Sequence, residues 1–308
     1  MHNNNVKLVI LVDYPGFNLS LARSLKLLPH PPRILEYIAP QVWAWRANRI
    51  SKIRRYIDHL AVVFPFEEAL FKSANIPVTF VGHPLLDEMN LPEYIIAGSH
   101  DKYNTGSHNL SVDASSSTQI LALLPGSRKS VVGRHLPIML ESARLLMPEF
   151  PDIRIGIGCA PGLHKFIENT TRDRIPKIEF WDDSRTLLSQ AAAAVVCSGT
   201  ATLEAALLGT PQVVVYKTSS VNYHVVKNLI RLPNVGLVNI VAGEKIVPEL
   251  LQYEFNPISV QRSIAPLLRH ANIRDHIRLK LLKLRAMLGE PGAALKVADL
   301  AYGMITNS

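Results

Sequence analysis

Nine short apolar runs, rich in β-branched residues, recur along this chain, and most segments between them carry helical spacing. The runs are Lys7–Val12, Ile34–Ala39, His59–Phe64, Val78–Val81, Ile120–Leu124, Ile153–Ile157, Ile178–Phe180, Ala192–Cys197 and Gln212–Tyr216. Helical patterns cover Leu19–Leu28 and Arg46–Ile57, and a mostly helical tail runs from Ile258 to Met304, broken at Glu290-Pro291-Gly292. Strands alternating with helices predict an α/β fold with parallel sheets. The alternation is interrupted once. Ala97–Gln119, AGSHDKYNTGSHNLSVDASSSTQ, has no periodicity and few large apolar residues, as expected of a linker or insertion. The expected organisation is therefore two doubly wound, Rossmann-like domains facing a cleft. The first covers residues 1–96, the linker 97–119 and the second domain 120–285, with a C-terminal helix at 286–308 packing back on the first.

A chain of 308 residues is long enough for such cores, and 48% hydrophobic with 19% charged residues is an ordinary globular balance. No run of 18 apolar residues predicts a transmembrane helix. The opening MHNNNVK has neither the basic region nor the cleavage site of a signal peptide. Two cysteines, Cys159 and Cys197, fall at predicted strand ends; they make no disulfide framework and no metal-ligand spacing. The net charge of +8 fits an anionic partner: nucleic acid, an anionic membrane or a phosphorylated small molecule. No nucleic-acid-binding motif is present.

Four stretches could carry chemistry. In LALLPGSRKSVV an apolar strand runs into Gly126-Ser127-Arg128 and then a helix. Free N–H groups at a helix start attract anions, and an arginine there can fork onto phosphate; an ordinary strand-to-helix turn with a solvated arginine has the same spacing. In VVCSGTATLEAALLGTPQ a buried strand ends at Ser198-Gly199-Thr200. Thr200 is an expected N-cap, Gly209 and Pro211 stop the helix, and Glu204 either favours the helix dipole or accepts hydrogen bonds from ligand hydroxyls. Trp43 and Trp45 precede Arg46, Arg49, Lys52, Arg54 and Arg55, with Ile50, Ile53 and Ile57 at helical spacing. That pattern is either a solvated basic helix face or a basic, aromatic-edged face for an anionic membrane or acidic lipid. Asp13 ends the first strand, where ligands gather in open α/β sheets. His83, and Asn239, Glu249 and Gln252 in a turn-then-helix context, cannot be assigned from spacing.

Taken in order, YIAPQVWAWRANRISKI, PFEEALF with VTFVGHPLLDE, LALLPGSRKSVV, SGTATLEAALLGTPQVVVY and NIVAGEKIVPELLQ resemble the lipid-A-disaccharide synthases, glycosyltransferases of the GT-B type. The resemblance runs from about Val6 to Leu251. It implies inverting transfer of 2,3-diacylglucosamine from its UDP derivative to 2,3-diacylglucosamine 1-phosphate, without metal or cofactor, by a peripheral protein at a membrane surface. Arg128 would meet the diphosphate with Gly126 and Ser127 around it. Ser198, Gly199, Thr200 and Glu204 would line the donor site, with Glu204 on the ribose. Asn239 would act in catalysis, and Glu249 and Gln252 on the donor side. Trp43, Trp45, Arg46, Arg49 and Arg55 would contact membrane or acceptor.

Two departures bear on mechanism. Family members carry several dozen residues before the strand ending at Asp13, so truncation of the first domain is expected. Their Asp-x-Pro-Asp-Phe-Asn reads Asp13-Tyr14-Pro15-Gly16-Phe17-Asn18 here, which leaves Asp13 as the remaining carboxylate. The alternative is a catalytically impaired or non-catalytic variant that binds UDP-lipid or a partner. The Ser/Asn/His-rich insertion looks plant-like, which implies a mitochondrial location; a bacterial source implies the cytoplasmic face of the inner membrane. Assembly as a homo-oligomer stays open.

Overall fold

The computed structural model describes residues 6–43, 48–89, 118–172, 174–175, 177–218 and 234–306. They divide into two compact units, one made of Met1–Asn90 with Ala286–Ser308, the other holding most of the chain between them.

In the first unit, β1 (Leu8–Val12), β2 (Arg33–Tyr37), β3 (His59–Val62) and β4 (Val78–Phe80) form a parallel sheet in that order. Four helices follow the strands in turn: α1 (Pro15–Leu25), α2 (Arg49–Tyr56), α3 (Pro65–Ser73) and α4 (Leu85–Glu88). Side chains alternate across the strands. Ile34, Leu60 and Val62 face a core that includes Leu19, Ile53 and Phe71, while Leu35 and Ala61 face the other way. Val297 and Ala301 of the C-terminal helix (Ala293–Thr306) cover that second face with Val81. The approach is close: His83 N–H donates to the Leu288 carbonyl at 2.9 Å, and a Cβ at Gly82 would lie 2.9 Å from the Glu290 carbonyl oxygen.

Three boundaries differ from the sequence reading. Helix α1 begins at Pro15 rather than at Leu19, because proline's fixed φ and missing N–H suit a first helical turn. Strand β3 stops at Val62, since Phe64 becomes the residue that caps α3 ahead of Pro65. Helix α2 begins at Arg49; Trp45 and Arg46 lie outside the described residues, as does the predicted linker except for its last two positions.

The second unit has six parallel strands: β5 (Ile120–Leu124), β6 (Arg154–Gly158), β7 (Ile178–Trp181), β8 (Ala193–Cys197), β9 (Gln212–Tyr216) and β10 (Glu249–Leu251). Their spatial order is β10-β9-β8-β5-β6-β7. Leu121, Leu123 and Val195 face one core; Ile120, Ala122, Leu124 and Val196 face the other. Helices α5 (Lys129–Leu146), α6 (His164–Thr171), α7 (Ser184–Gln190), α8 (Ala201–Leu207) and α9 (Leu237–Ala242) connect the strands, and α10 (Pro257–Arg269) and α11 (Ala271–Met287) follow. The strand β10 corrects the turn-then-helix reading of Glu249. Three residues are too short for a periodic signal, and pairing with Val214–Tyr216 is what makes them a strand.

Candidate functional site

The strand order places one crevice in the second unit. The chain leaves β5 toward β6 on one side, while β8 pairs with β5 on the other, Leu124 opposite Val196. Strand order reverses there, and open α/β sheets bind ligands outside the strand ends at such a point. Gly126-Ser127-Arg128 leaves β5, and Ser198-Gly199-Thr200 leaves β8, so two distant segments of sequence meet at this crevice.

The turn after β5 depends on Gly126. Its φ is +115°, and a Cβ would lie 2.9 Å from Val131 Cγ1 and 3.3 Å from Cys197 Sγ. Gly126→Ala should therefore destabilise the fold by about 2 kcal/mol or more and displace the Arg128 loop; thermal unfolding and UDP calorimetry measure the two effects. Arg128 sits at the cap of α5 in extended geometry, and its carbonyl accepts from the N–H groups of Val131 and Val132, both at 2.9 Å. Ser127 and Arg128 are exposed. The guanidinium is close enough to Cys197 to favour its thiolate, but burial dominates and pushes that thiol up to about 11. Cys197 is thus a packing thiol behind the loop.

The turn after β8 differs in detail from expectation. Thr200 occupies the N-cap position of α8, but its backbone is helical and its hydroxyl makes no cap bond. Thr202 bonds the turn instead, its hydroxyl donating to the Gly199 carbonyl at 2.8 Å. The Ser198 hydroxyl donates to the Val235 carbonyl at 3.3 Å. Glu204 is paired with Arg185 of α7, with Nε and Nη2 at 3.0 and 2.9 Å from Oε1, which fixes its carboxylate. His135 escaped sequence reading. Lys217 N–H donates to its Nε2 at 2.9 Å, and burial pushes its pKa down, so a neutral imidazole ties α5 to the end of β9.

Asn239 is enclosed by its own segment of chain. It is fully buried, and Nδ2 donates to the Val247 carbonyl at 2.9 Å and to Glu249 Oε1 at 2.8 Å. Its Oδ1 accepts from the N–H groups of Ile246 and Val247 at 2.9 and 3.1 Å. Those four bonds use the hydrogen-bonding capacity of the amide and tie the segment between α9 and β10 together. Glu249 also turns inward, accepting from Val235 N–H at 2.8 Å and Gly236 N–H at 3.0 Å at the start of α9. Gln252 has a left-handed backbone (φ +53°), and its amide, with NH₂ toward the Thr218 carbonyl, meets that residue's backbone at 3.3 and 3.2 Å.

In the first unit, Asp13 and Tyr14 both have left-handed backbones (φ +48° and +43°), and Asp13 is exposed where β1 ends. Asn18 Nδ2 donates to the Asp13 carbonyl, closing the turn into α1. Trp43 is half-buried rather than presented to solvent. Its Nε1 donates to Glu67 Oε1 at 2.8 Å, and its ring meets Phe64 and Phe66 edge-on. Burial, opposed by hydrogen bonds from Trp43 and Phe64, lifts the Glu67 carboxyl to about 7. His83 is buried against Phe64, and burial lowers its pKa to about 4. Arg55 is exposed and lies over the Tyr56 ring; Arg49 is half-buried at the start of α2.

The family model described as lipid-A-disaccharide synthetase matches residues 1–290. A lipid-A-disaccharide synthase of Syntrophus aciditrophicus is 42% identical over 98% of this chain and 76% of its own length. One from Trichlorobacter lovleyi is 38% identical over the same shares. Among solved structures, UDP-GlcNAc 2-epimerase from Neisseria meningitidis bound to UDP-GlcNAc aligns with TM-score 0.59 at 12% identity, covering 96% of this chain and 76% of that one. MurG of Acinetobacter baumannii aligns with TM-score 0.54 at 17% identity, covering 96% and 73%. These likenesses show the GT-B type of fold.

Proposed function

The chain belongs to the lipid-A-disaccharide synthase family, and on that premise we propose how its residues divide the chemistry. The activity is that of an inverting hexosyltransferase. It moves 2,3-diacylglucosamine from UDP-2,3-diacylglucosamine to the 6-hydroxyl of 2,3-diacylglucosamine 1-phosphate, giving the β-1,6-linked tetraacyl disaccharide 1-phosphate and UDP. The enzymatic reading is favoured over a non-catalytic binding protein.

The observation that supports this assignment is the meeting of the Arg128 and Ser198–Thr200 loops at the switch point of the second sheet. The donor diphosphate lies across the start of α5. There the helix N–H groups and Arg128 stabilise negative charge as the sugar–phosphate bond breaks. Glu204, held by Arg185, accepts from the ribose hydroxyls. Asn239 and Glu249 act behind the site by fixing the segment from Val235 to Val247. In the first unit Asp13 takes the proton of the acceptor hydroxyl, a role Gly16 cannot fill. The test is transfer by the purified protein from UDP-2,3-diacylglucosamine to the lipid acceptor. Formation of the tetraacyl disaccharide supports the reading; UDP-donor binding without any disaccharide overturns the catalytic part of it.

Both substrates are lipids, and the exposed basic residues of α2 suit an anionic bilayer surface. Among the described residues no helix is long and apolar enough to cross a membrane. Reversing the exposed Lys52, Arg54 and Arg55 to Glu should weaken flotation with anionic vesicles at least tenfold, since each cation near such a surface contributes on the order of 1 kcal/mol. Equal flotation of wild type and variant would remove this face as the contact.

A further inference from the structure

Glu36 lies on β2, opposite Leu11 of β1, two residues before the exposed end of β1 at Asp13. Its side chain is fully buried, and among the described residues neither carboxylate oxygen meets a hydrogen-bond donor. A buried carboxylate without donors is costly, and the usual resolution is that it keeps its proton. The charged groups acting on it are Asp13, at the end of the neighbouring strand, and Arg49, at the start of α2. The backbone around the pair is also unusual. Asp13 and Tyr14 are left-handed, and so is Ile38 (φ +63°), just beyond β2. A β-branched residue in that region is strained, and such strain collects at functional sites.

We infer that Glu36 is a positioning residue for Asp13: the buried carboxyl holds the proton that the pair retains and leaves the negative charge on the exposed carboxylate that faces the acceptor. The inference rests on the proposed transfer reaction. In that step the acceptor hydroxyl oxygen attacks the anomeric carbon, its proton passes to Asp13, and the bond to the leaving UDP oxygen breaks with its electron pair. Two adjacent carboxyls in unequal surroundings divide such roles, the more buried one staying neutral. Burial, helped by the Asp13 charge and opposed by Arg49, pushes the Glu36 carboxyl up to about 8. Above that pH Glu36 adds a second negative charge next to the place where the acceptor proton is taken up, so turnover gains an alkaline rise. The folded protein keeps this proton to about pH 8, against 4.5 for an ordinary glutamate, so stability falls as pH rises from about 4.5 to 8 and then levels off.

The experiment pairs infrared titration of the full chain with the pH dependence of kcat, in wild type, Glu36→Gln and Asp13→Asn. In wild type the C=O stretch of a protonated buried carboxyl should be present at pH 7 and disappear with a midpoint near 8. The component with that midpoint should be missing in Glu36→Gln, which keeps only the Glu67 carboxyl titrating near 7, and its midpoint should fall in Asp13→Asn, where the neighbouring charge is gone. The alkaline rise in kcat should be lost in Glu36→Gln, and so should the decline in Tm between about pH 4.5 and 8. A wild-type carboxyl already ionised at pH 7, a midpoint unmoved by Asp13→Asn, or a rise that persists in Glu36→Gln overturns the inference. If no disaccharide forms at all, the transfer reading fails, while the infrared arm still decides whether the two carboxyls are coupled.

Discussion

Arg128→Ala should lower kcat/KM for transfer by about thirtyfold or more. A charge-assisted contact to phosphate is worth roughly 2 kcal/mol, and each 1.4 kcal/mol is about a factor of ten. The side chain is exposed at the mouth of the switch-point crevice, so its removal should leave Tm nearly unchanged. Its neighbour Lys129 is a poor substitute, because Nζ already lies 5.1 Å from the centre of the Phe166 ring. Arg128→Lys should fall between wild type and alanine, since an ammonium keeps the charge but loses the bidentate fork. If the charge acts mainly on the departing diphosphate, kcat falls more than KM rises. Wild-type affinity for UDP together with wild-type turnover in Arg128→Ala would refute the phosphate role.

The second large effect concerns stability. Asn239→Ala should destabilise the second unit by about 3 kcal/mol or more, because buried backbone N–H groups of Ile246 and Val247 and an oxygen of Glu249 lose their partner together. For a protein of this size that is a fall of about 6–12 °C in Tm. Asn239→Asp should be at least as damaging, because it sets a second carboxylate 2.8 Å from Glu249 Oε1. Activity should fall in step with the loss of folded protein. An alanine variant with wild-type Tm and no turnover would instead return Asn239 to the reacting atoms.

Much of this was legible in the sequence. β-branched runs between helical stretches predicted nine of the ten strands among the described residues, because strand and helix periods are local properties of side-chain order. Gly126, with its positive φ, and the Arg128 that follows it were readable for the same reason: a sharp turn from strand to helix has few chemical solutions. The packing of Asn239 was not legible. A buried asparagine bonded to its own loop and an asparagine bonded to a ligand look identical in sequence, and only the positions of Val247 and Glu249 separate them. Trp43 read as a membrane or acceptor contact because aromatic and basic residues stand together. It is half-buried because Glu67, 24 residues on, takes its N–H.

The chain's order of apolar runs, turns and caps thus determined which segments become strands and helices, and the five ordered motifs determined the family. Only the tertiary structure decided which strands become neighbours. That choice brings Arg128 to Ser198 across β5 and β8, and it buries Glu36 near the exposed Asp13 with no hydrogen-bond donor among the described residues. Both follow from long-range pairing, whose free energy comes from burying faces against each other, and no local pattern records which faces will meet.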